Sequence, residues 1–216
     1  ITSSNSSNTL NTSSLNVKPS TNVKPSINVK PSTNIKPTQQ KSIRDIRLEY
    51  IFGKNESGSP KFYTSAKEAS SNMKSVTFKV WDINSKTGKK YSKDVSLTVN
   101  SKIAEEVITI FKKIFNSPEQ FPIKSICAYA WREPMSSGNL SEHNYGTCID
   151  INPQENTYIV NGVNVFGGVW KPGSNPYSIT EDGSVLGTFR EFEWAWGGKD
   201  WGSKSQDYMH FSYLGH

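Results

Sequence analysis

The chain has 216 residues, with 25 Lys and Arg against 19 Asp and Glu, a net charge of +6, 34% hydrophobic residues and a mean hydropathy of −0.60. The excess charge is local: residues 1–41 carry five Lys and no acid, aromatic or Gly, leaving 20 cations against 19 acids elsewhere. The near-neutral remainder lacks an electrostatic footprint for nucleic acid, no apolar run nears the ~20 residues of a membrane span, and two Cys exclude a disulfide-dense scaffold or an all-thiolate zinc site.

Residues 1–15 are rich in Ser, Asn and Thr, and residues 16–38 read NVKPST NVKPSI NVKPST NIKPT, a hexapeptide repeat with Pro19, Pro25, Pro31 and Pro37. One Val or Ile per unit cannot build a core, and regular Pro favours extended chain, so 1–41 reads as a spacer. Its lysines suit a weak attraction to anionic cell-wall polymers. The chain begins at Ile1 rather than Met, consistent with a mature or truncated form that has lost any export signal.

Residues 42–61 read as transitional, and organised structure is expected from near Met73, within a domain spanning 62–216. Alternation of Val76, Phe78 and Val80, then of Val95, Leu97 and Val99, predicts a β-hairpin. A helix should follow Asn100 or Ser101, with Ile103, Val107, Ile108, Phe111, Ile114 and Phe115 on one face and a stop at Asn116-Ser117-Pro118. Strands are expected at 124–131 and 147–152, a hairpin around Asn161-Gly162, a helix at about 181–193 and a last strand at 208–213. Strands and helices mix without βαβ alternation, so the class is α+β, a small mixed domain with a central antiparallel sheet and flanking helices.

Histidine is scarce. His143 lies in SEHNYGTCID and His210 in DYMHFSY, and His216 is terminal. Asp150 follows His143 by seven residues, and Gly146 between them permits a tight turn that brings both side chains to one point. Two imidazoles and one carboxylate form a zinc set that leaves a position for water. The alternative for each residue taken singly is structural: a His packed near a strand, a turn aspartate, a surface arginine. Trp170, Trp194, Trp196 and Trp201 suit either core packing or the walls of a peptide groove, and the Gly167-Gly168 and Gly197-Gly198 pairs would allow close backbone approach to a ligand.

Ser141-x-His143-x-x-Gly146-x-x-x-Asp150, followed by Asp207-x-x-His210, resembles the zinc D-alanyl-D-alanine carboxypeptidase family. That family includes vancomycin-resistance D,D-peptidases and phage L-alanyl-D-glutamate endolysins, and its fold is related to the Hedgehog signalling domain. Tyr129-x-Trp131-Arg132 and Trp196-Gly197-Gly198 extend the resemblance, which covers about 62–216 and is nearest to secreted Gram-positive members. It implies zinc (Zn2+) held by His143, Asp150 and His210, with Asp207 as general base and acid. It also implies Arg132 as the cation for a scissile carbonyl or substrate carboxylate, with Ser141, Tyr129 and Trp196 contacting substrate. The implied substrates are peptidoglycan stem peptides, met by a monomer outside the cell or in the wall. An L-alanyl-D-glutamate-type endopeptidase and a non-catalytic zinc-containing wall-binding module are the alternatives. The chain departs from the family at Cys148, where a small residue, commonly Ala, is usual. That thiol opens a cysteine-hydrolase reading, disfavoured because Cys148 sits in an apolar strand two residues from Asp150. A Cys127–Cys148 bridge is a further option.

Overall fold

A computed structural model describes residues 41–133 and 140–215, of which Lys41 to Gly215 belong to one compact unit. The Lys-Pro repeat and His216 lie outside the described residues.

The segment expected to be transitional is a capped helix. In α1, Ile43–Phe52, Ser42 and Asp45 cap each other reciprocally, satisfying amides that the first turn leaves without partners. Arg47 is buried, donates to the carbonyls of Phe192, Glu193 and Tyr213 at 2.6–2.8 Å, and lies 4.3 Å over the Tyr213 ring. Phe52 packs edge-on to Tyr63 and Tyr145, at 5.2 and 4.9 Å. A short α2, Ala66–Ser71, follows. The folded domain thus takes in residues 42–61, which the sequence reading had set apart.

The expected hairpin forms from β1, Met73–Ile83, and β2, Lys90–Asn100, paired in register from Met73↔Asn100 to Ile83↔Lys90. Its inner residues Val76, Phe78, Val80, Leu97 and Val99 are buried. A 3-10 turn capped by Asn100 leads into α3, Ala104–Asn116, whose Phe111 stacks on Phe78 at 4.2 Å. Its buried face is Val107, Ile110, Phe111 and Ile114, whereas Ile108 and Phe115 are only half-buried. Phe115 instead stacks on Trp81 at 5.0 Å.

The strand expected at 124–131 shrinks to β3, Ile126–Cys127. The ladder stops there because the Ala128 carbonyl is taken by the His143 imidazole and the Ala130 amide by the His143 carbonyl. Then come β4, Cys148–Ile151, and the hairpin of β5, Tyr158–Val160, and β6, Val163–Phe166. Next is α4, Ser184–Glu191, shorter than expected because Thr180 to Gly183 turn before the helix begins. The Glu119 carboxylate, rather than a local side chain, accepts from the first-turn amide of Ser184 at 2.5 Å. The chain closes with β7, Ala195–Trp196, β8, Ser205–Asp207, and β9, His210–Ser212. The polar β8 was not anticipated.

Two antiparallel sheets carry the site, ordered β3-β4-β9-β7 and β6-β5-β8. The first rests its apolar side on α4 through Phe211 stacked on Phe189 at 4.0 Å. Its register sets Asp150 directly opposite His210 and Cys148 opposite Ser212. The fold is α+β, as the sequence pattern implied.

Candidate metal centre

His143 is held by a short 3-10 turn, Glu142–Tyr145. Ser141 caps the turn by accepting from the His143 amide at 3.3 Å, and Gly146 ends it in the left-handed region at φ 61°. A Cβ at Gly146 would stand 2.7 Å from the Asn100 amide, so only glycine lets this turn lie against β2. The His143 Nδ1 lies 2.5 Å from the Ala128 carbonyl, which turns Nε2 towards Asp150 Oδ2 at 3.1 Å. From the neighbouring strand, His210 Nδ1 lies 2.9 Å from Asp150 Oδ1. The rings of His143 and His210 are 5.3 Å apart, and Trp201 leans over His210 at 4.9 Å.

Burial alone would raise the Asp150 carboxyl, but its contacts with His143 and His210 hold it well below the usual carboxylate range. Burial works against a charged His210, yet the hydrogen bond and charge of Asp150 outweigh it and bring the imidazole up to about 9. Asp207, three residues before His210, is pushed up to about 7, chiefly by burial. Its Oδ1 is buried without a hydrogen-bond partner. Gly197 ties Asp207 to His210, since the Asp207 amide donates to the Gly197 carbonyl and the Gly197 amide donates to the His210 carbonyl, each at 2.9 Å. A Cβ on Gly197 would stand 2.7 Å from the Asp207 carbonyl oxygen. The Gly197-Gly198 pair therefore serves backbone packing beside Asp207, and Gly167-Gly168 packs likewise on Pro153 and Gln154. None of these four glycines is among the cleft-lining residues.

An open cleft of about 1020 Å³ lies over these groups, and His143, Asp150, Asp207, His210, Arg132 and Ser141 all line it. Two expected substrate contacts fall elsewhere. Trp196 is wholly buried, donating from Nε1 to the Tyr208 carbonyl at 3.0 Å, because its place in β7 turns it into the core. Tyr129 is outside the cleft lining, its amide bound to the Thr98 carbonyl and its hydroxyl directed at the Ala66 carbonyl at 3.4 Å. Trp201 forms a wall in their stead, as do Arg44 and Leu48 of α1. Glu142 was not singled out either: its carboxylate accepts from Ser212 Oγ at 2.6 Å, and burial raises its pKa. Nothing in the pattern S-E-H marks this residue; its setting depends on β9 arriving from 70 residues away.

Cys127 and Cys148 are both free thiols, so the bridge is not formed. Burial raises the Cys148 thiol well above its ordinary range, the opposite of what a nucleophile needs. Buried His143, Cys148 and His210 nonetheless bring ligand atoms within 4.8 Å of one another, a group able to hold a metal ion. The donor chemistry fits zinc: two imidazole nitrogens already aimed at one carboxylate, with a second-layer carbonyl fixing one ring.

Residues 135–213 match the family model described as D-alanyl-D-alanine carboxypeptidase. No curated protein and no solved structure matches the chain. The family match runs from before Ser141 to beyond His210, and it supports a zinc peptidase of the kind that acts on peptidoglycan.

Proposed function

We propose that the protein is a zinc-dependent D-alanyl-D-alanine carboxypeptidase acting on peptidoglycan stem peptides. The observation that carries this reading is the convergence of His143 Nε2 and His210 Nδ1 on the Asp150 carboxylate in the cleft, with Asp207, whose Oδ1 has no hydrogen-bond partner, lining the same cleft.

His143, Asp150 and His210 would hold the ion. When bound, zinc supplies Lewis-acid polarisation and makes water acidic enough to react near neutral pH. The chain's own groups do the rest. Asp207 takes a proton from the attacking water and hands it to the leaving amine nitrogen, a transfer suited to a carboxyl that titrates at about 7. Arg132, exposed at the cleft, offers its guanidinium to the scissile carbonyl oxygen or to the C-terminal carboxylate of the substrate. Ser141 fixes the turn that presents His143 and borders the substrate path. Trp201 shields His210 from bulk water. The substrate lies outside the cell, so the protein would work there as a monomer, with the Lys-Pro stretch giving reach along the wall.

Mass spectrometry of defined muropeptides, with wild type and Asp207→Asn, tests this. Release of the terminal D-Ala by wild type is expected, with the rate reduced ~10²–10⁴ in the variant while zinc content stays equal. Cleavage between L-Ala and D-Glu would reassign the bond. Zinc retention without cleavage of any stem peptide would make the protein a wall-binding module.

A further inference from the structure

Two arginines line the cleft, and they come from different parts of the chain. Arg132 follows β3, and its charge is felt by the thiols of Cys127 and Cys148. Arg44 belongs to the first turn of α1, and its charge is felt instead by the buried carboxylate of Glu142, which also feels His210. The two cations thus stand against different parts of the cleft. Arg44 is fixed by the segment that follows β9: its Nη1 donates to the Gly215 carbonyl at 2.6 Å and to the Leu214 carbonyl at 3.3 Å. Among the described residues, its Nη2 and Nε donate to no acceptor and no carboxylate forms an ion pair with it. The acids that feel its charge are engaged elsewhere, Asp45 with Ser42 and Glu142 with Ser212 and Thr147. Leu48, one turn along on the same face of α1, and Leu214 also line the cleft, so an ion bound here would sit beside apolar surface. Anchoring a guanidinium through one Nη leaves its Nη2–Nε edge, whose parallel N–H groups match the two oxygens of a carboxylate.

We propose that Arg44 is a second anion-binding group of the cleft, one that takes a substrate carboxylate upstream of the scissile bond. This deepens the peptidase reading and rests on it: Arg132 meets the reacting end of the peptide, and Arg44 meets a more distant carboxylate. A volume of about 1020 Å³ matches the top of the range for sites that hold drug-sized ligands, about 300–1,000 Å³. The cleft therefore has room for several residues, not only for the terminal two. A stem peptide that contains glutamate carries a second carboxylate when the unlinked carboxyl of that residue is a free acid, and loses it when that carboxyl is amidated. Arg44 would select the free acid over the amide. Because the contact lies away from the reacting atoms, it is the same in ground state and transition state and acts on KM rather than on kcat.

Two synthetic pentapeptides ending in D-alanyl-D-alanine test this, alike except that the upstream glutamate is a free acid in one and an amide in the other. Full-length, zinc-loaded wild type should show a KM about tenfold lower for the free acid, with similar kcat for both. In Arg44→Gln that discrimination should fall to about onefold, and Arg44→Lys, which keeps the charge but not the planar fork, should restore part of it. No discrimination in the wild type, or equal discrimination in wild type and Arg44→Gln, would overturn the proposal. So would an equal loss on both peptides, which would mean that Arg44 only holds α1 to the segment after β9. Calorimetric binding of the same peptides to zinc-loaded Asp207→Asn protein, with and without Arg44→Gln, separates this proposal from the peptidase reading. Discrimination in binding without cleavage by the wild type would sink that reading and leave Arg44 as the anion site. Cleavage without discrimination would do the reverse, and binding of neither peptide would overturn both.

Discussion

Asp207 shows how a single residue can be useful for chemistry and costly for stability. Its carboxyl titrates at about 7 in the folded chain against an ordinary 3.8. A raised carboxyl binds its proton more tightly when folded, so its contribution is fully present below about pH 4 and is lost as pH rises through about 7. At ~1.4 kcal/mol per unit the loss is at most about 4 kcal/mol in metal-free protein. His210, raised to about 9, erodes stability in the same direction over a higher window, from about 6.5 to about 9. The informative quantity is therefore a difference between proteins. Urea midpoints in chelator at about pH 5 and about pH 8 should fall further in wild type than in Asp207→Asn. Equal falls would mean that the Asp207 carboxyl stays ionised throughout.

At the scale of elements, α1 is the part that sequence reading underestimated. Its exposed side carries Ile43, Ile46 and Tyr50, so hydrophobic periodicity points to no single buried face. What docks the helix is a buried cation on three distant carbonyls, an arrangement no local pattern encodes. Chain started at residue 41 should fold with a normal melt, whereas chain started at 62 should lose roughly 3 kcal/mol or more, since the carbonyls of Phe192, Glu193 and Tyr213 lose their donor. Circular dichroism melts of the two chains decide this, and equal midpoints would make α1 dispensable. By contrast, the β1–β2 hairpin and the β5–β6 turn at Asn161-Gly162 were legible, because alternation and turn chemistry are local. The proposed metal ligands stand out in sequence through their motif spacing, and the β4–β9 register sets two of them, Asp150 and His210, side by side. Trp196 and Trp201 were not separable in sequence: both are tryptophans beside glycine, and only the path of β7 decides which faces inward.

Across the molecule, the apolar core reaches the central sheet through Phe211, which leaves β9 on the opposite side from His210. Phe78 on Phe111, Phe111 against Phe189 and Phe189 on Phe211 form one continuous aromatic run from the hairpin to the central sheet. Apolar burial of that extent holds a domain without help from an ion, unlike small zinc modules that unfold when stripped. Chelation should leave the far-ultraviolet circular dichroism unchanged and lower the melting midpoint only as loss of a bound ligand requires. Collapse of the spectrum on chelation would make the ion a structural staple.

The carboxylate of Asp150, already touching both imidazoles, bears on how fast the centre fills. A cage whose walls stand in place before its guest arrives needs no refolding step to capture it. Loading should then be a single bimolecular event, paced by diffusion into the open cleft and by departure of the proton that His210 shares with Asp150. Faster uptake at alkaline pH, without a lag, is the kinetic signature of such a centre.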